Sequence, residues 1–291
     1  MRFEKWQALG NDYLILEAEA LTFPLTPAAV RLLCSRHLGP GADGVLALYQ
    51  PDAPGHVARL RIFNPDGSEA ELSGNGAREA ILYLRRSGWT DDDSFTIQTD
   101  AGPIRPQITG PTTCRADMGR ARLRSKDFPD GGEDGRGEVA GHAFQHVSIG
   151  NPQCAIRIAD PDELERLDLA AIGPGIERDP RFPNRTNVSF FTALAPDVIR
   201  ARIFERGVGE TMSSGTGASG AAVAHVLGGD GRSPVTVRLD GGELMVEVDP
   251  SLQVHLTGWA VPVYRGELSE ELLAELRGEG AEDETPAAGA G

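Results

Sequence analysis

Cysteine is scarce in this chain of 291 residues. Cys34, Cys114 and Cys154 are an odd number without metal-type spacing, so they propose neither a disulfide framework nor a zinc site. Reduced, buried thiols in a cytoplasmic protein are the expectation. Cations are also in deficit: 28 Lys and Arg against 43 Asp and Glu leave a formal net charge of −15. That balance argues against nucleic acid, whose phosphates need clustered Lys and Arg, and against docking on an anionic membrane surface. No apolar run approaches the roughly 18 residues that a membrane span needs. The N-terminal MRFEKWQALGNDY, charged and soon broken by Gly-Asn, is not expected to be a signal peptide.

What is present is a core and much turn chemistry. Hydrophobic residues make up 40% and charged residues 24%, while 36 glycines and 20 prolines point to tight turns between short elements. The length suits two domains of roughly 120–150 residues. Short β segments are expected at MRFEKWQAL, DYLILEA, GVLALYQ and ARLRIFN, with turn residues at Gly10-Asn11 and Asn64-Pro-Asp-Gly-Ser. AREAILYLRRSG places Ala77, Ala80, Ile81 and Leu84 at helical spacing before a glycine stop. SFTIQTDAGPIRPQIT and CRADMG read as hairpin and strand, and the polar, Gly-rich residues 125–140 as a surface loop near a domain boundary. In the second half FQHVSIGNPQCAIRI, NVSFFTAL and DVIRARIFERG read as strands, and DELERLDLAAIG and GASGAAVAHVLGG as helices. PVTVRLDGGELMVEVDP reads as a hairpin around Asp240-Gly-Gly, and LQVHLTGWAVPVYRGEL as a last strand pair.

Two stretches repeat one another. ELSGNGAREA (71–80) and ETMSSGTGAS (210–219) each carry Ser-Gly-Asn/Thr-Gly-Ala ahead of an Ala-rich run, with Ser73 and Ser214 141 residues apart and Ala77 and Ala218 in matching places. An internal duplication explains this: two similar α+β halves, each offering one helix start to a shared cleft. A helix start carries unpaired N–H groups and the positive end of the dipole, and glycine lets a ligand approach them. Two such starts suit a small anion at a pseudo-symmetric centre. Serine is equally a strong N-cap, stabilising a helix by roughly 1 kcal/mol over Ala without any chemistry. Neither turn has the Gly-x-Ser-x-Gly of a nucleophile elbow or the Gly-Lys-Ser/Thr of a phosphate loop.

Six ordered motifs resemble the diaminopimelate epimerase family over nearly the whole chain: LGNDYLILE (9–17), RHLGPGADGVL (36–46), FNPDGSEAELSGNGAREA (63–80), GNPQC (150–154), TNVSF (186–190) and ERGVGETMSSGTGA (205–218). The resemblance implies an α+β fold of two similar, pseudo-two-fold-related domains, each a β structure wrapped around a central helix, with the site between them. The domains would run over 1–120 and 121–260. The last strands, 261–277, would return to the first domain, while the composition of 278–291 reads on its own as a disordered tail. The resemblance implies a cytoplasmic homodimer that inverts an amino-acid α-carbon without a cofactor or metal, converting LL-diaminopimelate to the meso form for lysine and peptidoglycan synthesis. By motif, Asn11, Asn64, Asn151 and Asn187 would hydrogen-bond the zwitterionic substrate, and Glu205 and Arg206 would hold its distal end. Gly74, Asn75, Gly215 and Thr216 would cradle the reacting carboxylate with backbone N–H groups. That agrees with the chemistry, because a carbanion-like transition state needs preorganised donors aimed at its charge.

One departure matters. Where the family places two catalytic cysteines, one at each helix start, this chain has Ser73 and Ser214 as the catalytic candidates, and the family's Gly-Asn-Pro-His ends here in Gln153. A thiol near pKa 8.5 can be lowered by several units at a helix start, whereas a hydroxyl starts far less acidic and needs a base of its own. Glu205 is placed to serve one side; Gln153 cannot titrate. His37 and His146 are near the motifs in sequence, although a lone histidine is more often structural. Three readings stay open: an epimerase of the family that works with serine, a related isomerase or dehydratase acting on another amino acid, and a ligand-binding homologue without turnover.

Overall fold

The computed structural model describes residues 1–71 and 73–278, so the expected tail lies outside the described residues except for Gly278. The first part of the chain forms β1 (Arg2–Ala8), β2 (Asn11–Glu17), α1 (Pro27–Cys34), β3 (Val45–Tyr49), β4 (Ala58–Phe63), β5 (Glu69–Ala70), α2 (Gly74–Arg86) and β6 (Ile97–Gln98). There follow β7 (Pro106–Gly110), β8 (Thr113–Arg120), β9 (Arg136–Val139), β10 (His142–Ser148), β11 (Pro152–Arg157), α3 (Pro161–Arg166), α4 (Leu169–Glu177), β12 (Asn187–Ala195), β13 (Val198–Glu205) and β14 (Gly209–Thr211). The last elements are α5 (Gly215–Leu227), β15 (Val235–Leu239), β16 (Gly242–Val248), β17 (Gln253–Trp259), β18 (Val261–Glu267) and α6 (Glu270–Arg277).

These strands make two mixed sheets. The first has the order β18-β1-β2-β3-β4-β5, with β6 beside β4; the second has the order β7-β8-β17-β16-β15-β13-β12-β11-β10-β9, with β14 beside β13. Neighbours are antiparallel apart from the parallel pairs β2–β3, β4–β6, β11–β12 and β13–β15. In β2 and β3 both faces are apolar, and the pleat sends alternate residues to different cores. Tyr13, Ile15, Leu46 and Leu48 face the core around α2, whereas Leu14, Leu16, Val45 and Ala47 face a second core under α1 and α6. The second sheet works in the same way: Ala155 and Phe191 face α5, and Cys154, Ile156, Val188 and Phe190 face a core shared with α3 and α4.

The two central helices match. Each runs for 13 residues from an extended serine cap, at φ −126° for Ser73 and φ −145° for Ser214. The second sheet closes on α5 from several sides, packing β10, β11, β12, β13 and β16 against it. The run of Ala218, Ser219, Gly220, Ala221 and Ala222 permits this: a Cβ on Gly220 would stand 2.8 Å from Gln153 Cβ. A helix buried nearly all round needs such small residues, whatever its periodicity.

Four sequence expectations change. Residues 270–277 are helix α6, not strand, because Ser269 caps the first turn and Leu273 and Leu276 fall on one buried face. β7 and β8, read with the first half, pair into the second sheet through β17. β17 and β18 do not pair with each other: the chain crosses at Ala260, and β18 joins β1 in the first sheet. Within 125–140, Phe128 is buried against Phe144 and Phe182, and 136–139 forms β9, so this loop is anchored by an aromatic cluster.

Candidate functional site between two helix starts

The starts of α2 and α5 face each other directly: a Cβ on Gly74 would lie 3.9 Å from the Cα of Gly215. A larger residue at 74 would enter the gap between them, whereas a Cβ at 215 would meet Leu256 Cδ2 at 3.1 Å and Arg78 Nη1 at 3.7 Å. Gly74 and Asn75 on one side and Gly215 and Thr216 on the other thus direct two helix-dipole ends and their first N–H groups toward one small volume.

Each start is tied to a strand by an asparagine. Asn75 Nδ2 donates to Asn11 Oδ1 at 3.2 Å and to Ser213 Oγ at 3.0 Å, crossing between the halves. Asn11 in turn donates to Asp43 Oδ2 at 3.1 Å. On the other side Asn151 Nδ2 donates to Thr216 Oγ1 at 3.2 Å, and the buried Gln153 donates to both Asn151 Oδ1 at 2.7 Å and Thr216 Oγ1 at 3.2 Å. Gln153 therefore organises the second start as a hydrogen-bonding group. Asn187 spans the strand ends, donating to the Pro152 carbonyl at 3.0 Å and accepting from the Arg206 N–H at 2.9 Å.

The two serines share a cap and differ in their second partner. Ser73 Oγ accepts from the Gly76 N–H and from Tyr13 Oη, each at 3.1 Å. Ser214 Oγ accepts from the Gly217 N–H at 3.3 Å and donates to Glu205 Oε2 at 3.1 Å, while Thr211 donates to Glu205 Oε1 at 2.8 Å. Ser73 thus keeps its proton, whereas Ser214 directs its own at a carboxylate. Burial pushes the Glu205 carboxyl above its usual range, opposed by the bonds from Thr211 and Ser214. Burial likewise pushes the Tyr13 phenol up to about 12.

Other expected residues lie further out. Asn64 is half-buried in its own turn, where Nδ2 donates to Ser68 Oγ at 3.0 Å. Glu205 and Arg206 diverge: the former serves Ser214, and the exposed Arg206 donates through Nη1 to the Asn184 carbonyl at 2.8 Å. His37 is exposed, and His146 is buried against Phe128 with Ser125 on Nε2; burial pulls it down to about 4. Cys154, the cysteine within a matching motif, faces the core shared with α3 and α4, so it cannot reach α5's start. Among the described residues, no group of three or more His, Cys, Asp or Glu side chains could hold a metal ion, and no helix is long and apolar enough to cross a membrane.

Tyr13, Ser213 and Arg78 also belong to this constellation; they lie within the matching motifs, but sequence reasoning gave them no role. Each is brought in by a tertiary approach of 60 or more residues or by a side chain whose direction only packing decides.

Fold and site together define a two-sheet α+β protein with a polar, hydrogen-bonded site where paired helix starts meet. Comparison with known proteins agrees. The family model described as diaminopimelate epimerase matches residues 3–124 and 145–263, and the chain belongs to that family. The diaminopimelate epimerase of Synechococcus sp. (strain JA-2-3B'a(2-13)) is 40% identical over 278 residues, covering 91% of this chain and 97% of that one. That of Desulforudis audaxviator is 42% identical, covering 91% and 98%. Among solved structures, a Bacillus anthracis phenazine biosynthesis protein of the PhzF family shares the fold at TM-score 0.68 and 21% identity, covering 92% of this chain and 99% of that one. A hydroxyproline epimerase from Agrobacterium vitis does so at TM-score 0.63 and 14% identity, covering 91% of each chain.

Proposed function

We propose that this protein epimerises LL-diaminopimelate to the meso form without a cofactor, by removing the α-proton on one face and returning one on the other. The observation that carries this reading is the bond from Ser214 Oγ to Glu205 Oε2, opposite a Ser73 that accepts from Tyr13. As the α C–H bond breaks, its proton passes to Ser214 Oγ and the Ser214 proton passes to Glu205, so the alkoxide never stands alone. The electron pair left on carbon is held by the N–H groups of the two helix starts on the carboxylate. Ser73 then gives its proton to the opposite face and regains one from Tyr13. Solvent reprotonates Tyr13 and deprotonates Glu205.

Asn11, Asn75, Asn151 and Asn187 supply mixed donors and acceptors suited to a zwitterion. Asn64 and Arg206 remain candidates for its distal end. The same reading places the enzyme in the cytoplasm, in lysine and peptidoglycan synthesis, as a homodimer. The exposed edge strand β18, with Val263 and Tyr264 half exposed, supports that last element.

A second reading, binding without turnover, is favoured by one observation: both hydroxyls already serve as helix caps. Incubation with LL-diaminopimelate in D₂O, followed by NMR of the α-proton, separates the two. Loss of the signal supports epimerisation; measurable binding with no exchange supports the second reading. Exchange with proline or hydroxyproline alone would move the substrate to another amino acid.

A further inference from the structure

Arg78 leaves α2 one turn after its start, and its side chain is buried at 2% exposure. The guanidinium lies between the two helix starts. Nη2 donates to Asn75 Oδ1 at 2.5 Å, and Nη1 would be 3.7 Å from a Cβ on Gly215. Nε and Cδ would stand 2.9 and 3.0 Å from a Cβ on Gly258 of β17, so a glycine there lets this side chain cross from one half into the other. Nε and Nη1 hydrogen-bond to no protein group among the described residues.

Among the described residues no carboxylate hydrogen-bonds the guanidinium. Glu79, next in sequence, is itself fully buried, and that burial holds its carboxyl well above the usual range. The Cys114 thiol of β8 is pushed up to about 11 by burial, and so stays protonated near neutral pH. An arginine remains charged under almost any burial. Burial lowers the Arg78 pKa from its usual value without discharging it, so a cation stands behind the cleft with no carboxylate in hydrogen-bond contact, an unfavourable arrangement unless something anionic comes within reach. At the matching place in α5 the residue is Ser219, whose Oγ donates to the Gly215 carbonyl at 2.8 Å. One cation, supplied from one half, thus faces both starts.

We propose that Arg78 is a positioning residue that supplies the counter-charge for the substrate carboxylate held between the starts of α2 and α5. This rests on the reading of that cleft as a carboxylate cradle. Arg78 also orients the site: with Oδ1 of Asn75 engaged, the Asn75 amide is left as a donor toward Asn11 and Ser213. The guanidinium need not touch the ligand. In a water-poor setting its charge draws the carboxylate in and favours the negative charge that builds there as the α-proton leaves.

The test uses Arg78→Met and Arg78→Lys, with folding checked by circular dichroism, meso-diaminopimelate binding by calorimetry and α-proton exchange in D₂O. The expected result is a folded Arg78→Met whose Kd and KM rise at least tenfold, with Arg78→Lys recovering to within tenfold of wild type because the charge is kept. A folded Arg78→Met with Kd within twofold of wild type overturns the proposal. Binding is read apart from turnover, so a wild type that binds without exchanging contradicts the epimerase reading and leaves this test in force. A wild type that does not bind overturns both. Should the variants fail to fold, arginine side-chain NMR of the wild type decides. One solvent-protected guanidinium signal is expected to shift on saturation with meso-diaminopimelate, and no shift overturns the proposal.

Discussion

Ser214 donates to Glu205 at 3.1 Å, and the position 141 residues before Glu205 is Asn64, whose side chain bonds within its own turn. The duplication that places a serine at each helix start therefore breaks at the acid. One half pairs its serine with a carboxylate, and the other pairs its serine with the Tyr13 phenol. The two sides of the cleft are chemically unequal.

Glu205→Gln keeps the shape and can still accept from Ser214 through its carbonyl, but it cannot take a proton. Exchange should fall by roughly 100-fold or more, the usual worth of a positioned general base. Ligand affinity should change little. An exchange rate within threefold of wild type would remove Glu205 from the mechanism.

The pH profile follows from the same carboxylate. Glu205 must be ionised to receive a proton, and burial raises its pKa above the ordinary 4.5. The exchange rate should therefore fall as pH drops through a point displaced above that value. Ser214→Cys, measured alongside, should show a different acid limb, because its thiol no longer depends on Glu205 alone.

Ser73→Cys with Ser214→Cys installs the cysteine pair that the motif resemblance implies at these two positions. Exchange should rise at least tenfold over wild type if only the pair limits turnover. An unchanged rate in a folded double variant would place the limit elsewhere in the cleft.

Gly74→Ala separates the site from the scaffold. The added methyl meets nothing closer than 3.9 Å, at the Gly215 Cα, so the fold should be kept. The same methyl enters the space where the carboxylate would lie, so meso-diaminopimelate binding should weaken at least tenfold by calorimetry.

Glu79 gives a stability prediction with a definite sign. Its carboxyl is fully buried, and that burial raises its folded pKa well above 4.5. Below the unfolded pKa both states are protonated. As pH rises past it the unfolded chain loses its proton first, so stability falls until the folded group titrates as well. Glu79→Gln should abolish that decline and raise Tm at neutral pH. A lowered Tm at neutral pH would contradict it.

How much was legible beforehand depended on the range of the physics. The starts of α2 and α5 rest on Ser-Gly-x-Gly turns, a local signal, and both helices begin where that signal places them. The bridges from Asn75 to Asn11 and from Asn151 to Thr216 join residues more than 60 apart; composition and periodicity carry nothing about them. Alternation in 106–120 marks strands without saying which sheet receives them, hence the misplacement of β7 and β8. Arg78 sits among the apolar residues of α2, where only the glycine at 258 explains why a guanidinium fits.

The most direct measurement is the rate at which the wild-type protein and Glu205→Gln exchange the α-proton of LL-diaminopimelate for deuterium, read by NMR beside calorimetric binding. Measurable exchange in the wild type, collapsing in Glu205→Gln while affinity holds, is the result predicted by a Ser214–Glu205 base. Tight binding by both proteins with no exchange in either would contradict it and leave a cleft that holds its ligand without moving a proton.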